Sequence, residues 1–411
     1  MITEYEQILD LIENIKAVQD MLGSSKGIDE TNYQYVNDIF DAIRTINKCL
    51  FESSKIANTN TLDMAPKVLV GEITIKEFIQ SVSDWIDLII TTINEFSSYR
   101  NEVDMQFYKL MKYVEVTNID IMMENTLSIL NQMRVELPDW YTKYRDYYTF
   151  YTDFWGGLNL DNNEYGVVTQ RVTALHEHRE DFSWLYHNLG DYRSKKTLYH
   201  ILKNWITFDY TLLTEAKEHC FGEYYDFDLI PQTDEEEVLV DLGAYIGDSA
   251  EAFIKAYSNH YKKIYCYEIT PDTFFKLKNT LEPYKNVICK QKGVGSTSGK
   301  MYLKKFGVTG SSNQVSQEGE IELDVVAIDE DITEKITFIK MDIEGAEQEA
   351  LPGCRRHILE EKPKLTISTY HNNEDIWKIP RMVKEMNPEY KLYMRYNGKQ
   401  IGPSEFTLFA L

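Results

Sequence analysis

Hydrophobic positions recur with a helical period through the first part of the chain. Apolar side chains spaced three and four residues apart are typical of amphipathic helices, and this spacing occurs within residues 8–22, 31–50, 74–96, 102–116 and 119–135. Gly23 follows the first of these patterns and Pro138 the last, and both residue types end helices. No internal repeat of fixed period is present, which disfavours a solenoid. We therefore expect an all-α N-terminal domain over residues 1–165, followed by a helical connector over 166–236.

The pattern changes after residue 236, where short apolar runs alternate with helix-period sequence. Runs such as VLVDL, KKIYCYEI and ITFIKMDI are typical of buried strands. The runs YKLYMRY and FTLFAL close the chain and are joined by a Gly/Pro turn, which predicts an antiparallel hairpin. Alternating strands and helices indicate an α/β fold with a mostly parallel sheet, and we expect it to occupy residues 237–411.

An aromatic segment precedes this change. Nine of the sixteen residues from Trp140 to Trp155 are Tyr, Phe or Trp. One interpretation is a platform on which sugar rings or bases stack, and the other is a helix wedged between two domains. The second is favoured, because interfaces are enriched in Tyr and Trp. A loop at residues 156–163 follows.

Composition and charge narrow the class of protein. The 411 residues carry a net charge of −23, and residues 1–182 contain 15 basic against 30 acidic side chains. Such a surface repels nucleic acid and anionic membranes. No run reaches the roughly 18 apolar residues of a membrane span, and the acidic start is unlike a signal peptide. The 5 cysteines contain no C-x-x-C pair, so we expect a cytoplasmic protein with reduced thiols and no zinc site.

Three features after residue 236 fit one ligand. The turn Asp241-Leu-Gly243-Ala-Tyr-Ile-Gly247 follows the first predicted strand, and its glycines permit close approach of a ligand to the backbone. Glu268 ends the second strand, where a carboxylate binds ribose hydroxyls in nucleotide-binding α/β folds. Asp342 ends a later strand. The spacing G-x-x-x-G differs from the dinucleotide fingerprint and no P-loop is present, so the pattern favours S-adenosyl-L-methionine over NAD.

These residues also carry a family resemblance. From about residue 190 the chain resembles the FkbM methyltransferases in the blocks VLVDLGAYIGD, IYCYEITPDTFFKLKNTL, TFIKMDIEGAEQEALPGC and KPKLTISTYHNNEDIWKIP. The resemblance implies a Rossmann-like class I methyltransferase domain with a seven-stranded sheet in the order 3-2-1-4-5-7-6 and S-adenosyl-L-methionine as cofactor. Tyr245 departs from the Asn that many members have in this turn.

The resemblance also implies roles for individual residues. Asp241, Gly243 and Gly247 would hold the methionine end of the cofactor, and Tyr245 and Asp248 belong to the same turn. Glu268 would bind the ribose. The remaining implied contacts are Ile269 against the adenine, Gly293 and Val294 at the end of the third strand covering the adenine edge, and Asp342 and Glu344 facing the methyl-transfer centre.

Methyl transfer to a hydroxyl needs a positioned base. His371, just after the fifth strand, is the first candidate because imidazole titrates near neutrality, and Asp342 and Glu344 are the other candidates. These residues could also form an oxygen-rich metal cluster, but their spacing along the chain does not require one, so we expect no metal. The loop at residues 308–314 is either a lid over the acceptor or a simple strand connection.

The function expected from these features is methylation of a sugar hydroxyl in a glycan or glycosylated small molecule. Two alternatives stay open. One is N-methylation of an amino group on an amino sugar or on an amino acid linked to a surface or flagellar glycan. The other is a scaffold or docking role, in which the acidic N-terminal domain binds a protein partner or forms a homodimer.

Overall fold

The computed structural model describes residues 102–230, 236–257, 260–304, 314–316 and 321–411, with a few positions between 67 and 83. The helices predicted within 8–22 and 31–50 lie outside the described residues, as do most of the helix predicted at 74–96 and the loop at 308–313. The chain divides into two compact units, Met1–Met105 and Gln106–Leu411. The predicted domain boundaries at residues 165 and 236 stay a prediction.

Eight α-helices are described before the sheet. They are α1 Glu102–Val116, α2 Ile119–Glu136, α3 Pro138–Phe150, α4 Thr152–Trp155, α5 Gly166–Glu177, α6 Arg179–Asn188, α7 Tyr192–Thr207 and α8 Tyr210–Ala216. The helices predicted at 102–116 and 119–135 are confirmed. Pro138 occupies the first position of α3, where its missing N–H leaves no donor unsatisfied. Within the described part of the chain, no helix combines the length and the apolar character needed to cross a bilayer.

The second half alternates strands with helices. Its strands are β1 Glu237–Leu242, β2 Tyr261–Tyr267, β3 Val287–Lys290, β4 Gly293–Val294, β5 Gly299–Lys304, β6 Gln314–Ser316, β7 Ile321–Val326, β8 Phe338–Met341, β9 Lys364–Ser368, β10 Leu392–Tyr396 and β11 Phe406–Ala410. Its α-helices are α9 Asp248–Ala256, α10 Pro271–Leu281, α11 Ile328–Asp331, α12 Glu347–Ala350, α13 Arg355–Glu360 and α14 Asp375–Met386.

The main sheet has the expected topology. Its seven strands lie in the order β10-β11-β9-β8-β1-β2-β3, which is the order 3-2-1-4-5-7-6 read from the other edge. The pairs from β3 to β9 are parallel, and β11 is antiparallel to both β9 and β10. All six residues of β1 are buried, as expected for a central strand with both faces covered. The Rossmann-like fold and its closing hairpin are therefore confirmed.

One strand prediction is wrong in detail. The resemblance placed Gly293 and Val294 at the end of the third strand, but that strand ends at Lys290, where the chain leaves the main sheet. Gly293 and Val294 instead pair with Val325 and Val326 in a second, four-stranded sheet ordered β4-β7-β5-β6. The side chains of Lys290 and Lys292 both donate to Asp331 at 2.5 and 2.8 Å, and this shared carboxylate fixes the chain where it changes sheets.

A buried arginine joins the helical part to the sheet. Arg395 on β10 is 2% exposed. Its guanidinium donates to Asp226 at 2.6 Å, to Asp191 at 2.7 Å and to the Ser194 hydroxyl at 2.9 Å. Asp191 also caps α7 by accepting the Ser194 backbone N–H. One cation therefore holds the N-terminus of α7 and the segment around Asp226 against the edge of the sheet.

We expect Arg395→Leu to destabilise the protein by about 3–5 kcal/mol, because the buried Asp226 carboxylate loses its nearest cation and keeps Arg193 at 3.6 Å. Urea unfolding measures this loss. The exposed carboxylate Asp228, which pairs with Arg193, provides the control, and Asp228→Ala should cost less than about 1 kcal/mol. Equal stability of the two variants would contradict the assignment of Arg395 as the link.

Candidate functional site

A cleft of about 490 Å³ opens at the carboxyl ends of β1, β2 and β8. In open α/β sheets this edge is where ligands bind, and the volume suits a cofactor-sized ligand. The cleft is lined at one end by the turn after β1 and the end of β2. Its other end is lined by the segment after β8, by His371 and by the aromatic segment of α3 and α4.

The turn after β1 depends on a glycine. Gly243 has φ +77°, and a Cβ atom there would come within 1.7 Å of the Asp342 carbonyl oxygen. The backbones that follow β1 and β8 therefore approach more closely than a side chain allows. The N–H groups of Gly243 and Ala244 both donate to the carbonyl of Tyr267, which ties the turn to the end of β2. Gly247, with φ +94°, precedes α9.

Asp241 and Lys340 support this turn from behind. Asp241 is fully buried, accepts the Ser249 hydroxyl at 2.6 Å and lies 3.1 Å from the Lys340 ammonium. Lys340 also donates to the Gly243 carbonyl at 2.7 Å. The carboxylate of Asp241 is thus engaged by the protein itself, whereas Tyr245 and Asp248 line the cleft. Direct contact of Asp241 with a ligand stays a prediction.

The residues predicted to meet the ribose and adenine lie together. Glu268 follows β2, is 8% exposed and accepts the Thr270 backbone N–H at 2.7 Å. Burial raises the pKa of Glu268 above its ordinary value. Ile269, Gly293 and Val294 line the same end of the cleft, so the change of sheet after Lys290 does not remove β4 from the site.

The predicted catalytic residues also meet. His371 Nε2 lies 3.4 Å from Asp342 Oδ1 and 3.5 Å from Glu344 Oε2. On the other side of the ring, Nδ1 lies 3.1 Å from Glu347 Oε1. We refer to His371, Asp342, Glu344 and Glu347 as the histidine–carboxylate cluster. Tyr224 donates to the second oxygen of Asp342 at 2.6 Å.

The charges in this cluster influence one another. Burial disfavours the charge on His371, but Glu347, Glu344 and Asp342 outweigh it and raise the pKa of the imidazole well above 6.5. Burial raises the pKa of Glu344 to about 8, against the opposing effect of His371. The pKa of Asp342 stays below its ordinary value because Lys340 and His371 outweigh its burial. The protonation states of His371, Asp342 and Glu344 therefore depend on one another.

The backbone around Glu344 has an unusual conformation. Glu344 has φ +58° and Gly345 has φ +95°, and the left-handed region is costly for a residue with a long side chain. Glu347 Oε1 accepts the Ile343 backbone N–H at 2.8 Å, which closes this turn. The conformation directs Glu344 toward the cleft that it lines.

Several residues of the cleft carried no sequence motif. Glu223 and Tyr224 come from an unpatterned stretch before β1, and Glu405 precedes β11. Burial and the nearby Asp342 raise the pKa of Glu223 to about 8. Glu347 belongs to the block TFIKMDIEGAEQEALPGC, but only the fold shows that it faces His371.

The aromatic segment combines both of its interpretations. Three tyrosines of α3, namely Tyr141, Tyr144 and Tyr148, are buried. Tyr147, Tyr151, Phe154 and Trp155 instead line the cleft beside the histidine–carboxylate cluster. The Trp155 indole donates to the Tyr370 carbonyl at 2.8 Å, which fixes α4 next to His371. The density of aromatic residues was the only sequence signal for this wall.

Part of the chain matches a known protein family. Residues 241–401 match the family model described as the methyltransferase FkbM domain. The matched range contains the glycine turn, Glu268 and the whole histidine–carboxylate cluster. It excludes the aromatic segment and Glu223.

Two solved structures are similar. The methyltransferase FkbM from Methylobacillus flagellatus KT is 26% identical, with a TM-score of 0.50, over 59% of this chain and 62% of that one. The chain thus spans less than two thirds of that protein. SMU.1697c from Streptococcus mutans, a putative methyltransferase in complex with SAH, is 16% identical, with a TM-score of 0.28, over 43% of this chain and 89% of that one. Comparison with curated proteins gives no significant match.

Tyr245 provides a test of the turn. Its φ of +46° lies in the left-handed region, which Asn tolerates better than an aromatic residue. We expect Tyr245→Asn to raise the free energy of unfolding by roughly 1 kcal/mol. Tyr245→Phe keeps the strain and is the matched control, with no gain in urea unfolding. A loss of stability in the Asn variant would show that contacts of the Tyr245 ring outweigh the backbone strain.

Proposed function

We propose that the protein transfers the methyl group of S-adenosyl-L-methionine to a sugar hydroxyl, since residues 241–401 match the methyltransferase FkbM domain. The acceptor is a glycan or a glycosylated small molecule. The observation that carries the proposal is the position of the aromatic wall, which consists of Tyr147, Tyr151, Phe154 and Trp155. The wall lines the cleft beside the histidine–carboxylate cluster, at the end that we assign to the acceptor.

The residues at the other end of the cleft fit the cofactor. Gly243 leaves room where a Cβ atom would collide with backbone, and Glu268 places a buried carboxylate where it can accept two ribose hydroxyls. Ile269 and Val294 provide apolar contacts for an adenine ring. When bound, the cofactor supplies an electrophilic methyl group on a sulfonium. The chain's own contribution is to hold the methionine end with the turn at residues 243–248.

The acceptor end suits a carbohydrate. Sugar rings present C–H faces that pack on aromatic side chains, and hydroxyls that donate to carboxylates. Tyr147, Tyr151 and Phe154 offer the first kind of contact, and Glu223 and Glu344 offer the second. Alignment of a hydroxyl with the methyl group is the main requirement of an in-line transfer.

The hydroxyl proton must also be removed. The His371 imidazole lies within 3.5 Å of both Asp342 and Glu344, so we assign proton removal to the cluster rather than to one member. Glu344 is the most accessible of the three, with 27% of its side chain exposed, and lines the cleft. Tyr224 orients Asp342 by donating to its other oxygen.

An amine acceptor is the second candidate. Glu223, Glu344 and Glu405 place three carboxylates around the acceptor end, and such a surface attracts an ammonium group. The amine must lose its proton before it can attack, so the same cluster would be required. This candidate corresponds to N-methylation of an amino sugar or of an amino acid linked to a glycan.

Calorimetry with S-adenosylhomocysteine tests the cofactor half of the proposal. We expect the full-length protein to bind it, and Glu268→Ala to weaken binding by about 1.5–3 kcal/mol, because charge-assisted hydrogen bonds to the ribose are lost. Glu282→Ala, which removes an exposed carboxylate at the end of α10, should bind like the unmodified protein. Absence of binding by the unmodified protein at millimolar ligand would refute the proposal.

Turnover on a panel of glycosides tests the acceptor half. We expect a methylated product whose added group is located on oxygen by tandem mass spectrometry, and location on nitrogen would select the amine candidate. Tyr151→Ala should raise the acceptor KM by roughly 2–10-fold through loss of aromatic packing, with little change in kcat. Tyr192→Ala, an exposed tyrosine at the start of α7, is the control. Unchanged KM in Tyr151→Ala would remove the aromatic wall from the acceptor site.

A further inference from the structure

We propose that the histidine–carboxylate cluster is a binding site for a divalent cation, with His371, Asp342 and Glu344 as ligands. The cation belongs to the first-row type that accepts both imidazole nitrogen and carboxylate oxygen. Glu347 positions the imidazole from the side away from the cation. Binding of the cation does not depend on the acceptor proposed above.

Two carboxylate oxygens lie close to one imidazole nitrogen, and ligand atoms of Asp342, Glu347 and His371 all lie within 4.8 Å of one another. His371 Nε2 lies 3.4 Å from Asp342 Oδ1 and 3.5 Å from Glu344 Oε2, which is longer than a good hydrogen bond between these atoms. Ligand atoms at about 2.0–2.2 Å from one cation lie roughly 3.0–3.5 Å from each other. The observed spacings therefore match a shared cation better than direct pairing.

Two of these atoms have unsatisfied polar capacity. His371 is 3% exposed, and neither of its ring nitrogens has a hydrogen-bond partner. Asp342 Oδ1, which faces it, is likewise buried without one. Buried polar atoms without a partner are rare, and each calls for an explanation such as an ion. A cation placed between the two would satisfy both at once.

The position of Glu347 is independent support. Glu347 is fully buried and lies against His371 Nδ1 at 3.1 Å. Its place is fixed because the same oxygen accepts the Ile343 N–H. A histidine that binds a metal usually directs its other ring nitrogen at a carboxylate, which sets the tautomer and the ring orientation. Glu347 thereby leaves Nε2 to face Asp342 and Glu344.

The surrounding charge favours a cation. The carboxyl groups that interact with the cluster, besides its own three, are Glu223, Glu405 and Asp375. The ammonium groups that interact with these carboxyl groups are those of Lys340, Lys217 and Lys399, and the Lys340 ammonium already contacts Asp241 and the Gly243 carbonyl. Carboxyl groups therefore outnumber ammonium groups within a low-dielectric site, and a divalent ion would stabilise the ionised forms of these carboxyl groups.

One consequence rests on the proposed function. A hydroxyl oxygen bound to the cation loses its proton more readily than a free hydroxyl. In that state His371 serves as a ligand rather than as the base. The cation would then sit at the acceptor end of the cleft, away from Glu268 and Ile269.

Binding of Mn²⁺ to the full-length protein tests the site, after treatment with EDTA and desalting. Calorimetry and the loss of the free-ion EPR signal should both report one site per chain. We expect His371→Gln and Glu344→Gln to weaken binding at least 100-fold, and Glu347→Gln to weaken it by about 10–100-fold. His187→Gln changes an exposed histidine on α6 and should bind like the unmodified protein.

Equal Mn²⁺ affinity in His371→Gln and in the unmodified protein would overturn the proposal, as would no binding at about 1 mM, a concentration at which even weak calcium modules are half-occupied. Thermal melting shows whether each variant is folded. If His371→Gln does not fold, the Mn²⁺ affinity of Glu344→Gln decides the test. S-adenosylhomocysteine binding is measured on the same samples. Its retention without Mn²⁺ binding would reject the cation and leave the methyltransferase proposal intact.

Discussion

The close contact between the turn after β1 and the end of β8 is the constraint on which the site depends. Gly243 meets the Asp342 carbonyl where a Cβ atom would lie 1.7 Å away, so the two strand ends converge at a single point. Lys340 secures this point by contacting Asp241 and the Gly243 carbonyl. A buried ammonium is expensive unless it is paired and hydrogen-bonded, and here both conditions are met by the turn that it supports.

This convergence gives Asp342 two functions. Its backbone closes against the glycine turn, and its side chain belongs to the histidine–carboxylate cluster. The cofactor end and the acceptor end of the cleft are therefore connected through one residue. A change that displaces the glycine turn would also displace the Asp342 carboxylate from His371. Methyl transfer requires alignment of a donor and an acceptor, and in the proposed function this shared residue would supply a rigid reference for both.

The predictable and unpredictable parts of the molecule differ in the range of their interactions. The sheet followed from short apolar runs, because burial on both faces imposes that pattern on each strand separately. The glycine turn and Glu268 were recognisable because their spacing along the chain is short. Glu223 and Tyr224 were not, because they reach the cleft only through contacts with residues more than one hundred positions away, such as the bond from Tyr224 to Asp342.

The aromatic segment shows that a sequence pattern can correctly predict packing and still miss residues that line the cleft. A helix with aromatic residues all around must bury one face, and Tyr144 and Tyr148 do so. Tyr147, and Tyr151 just after the end of this helix, line the cleft instead. The packing interpretation and the binding interpretation therefore describe different faces of one helix. Since the family match covers residues 241–401, this wall lies outside the matched range, and only the fold brings it beside the histidine–carboxylate cluster.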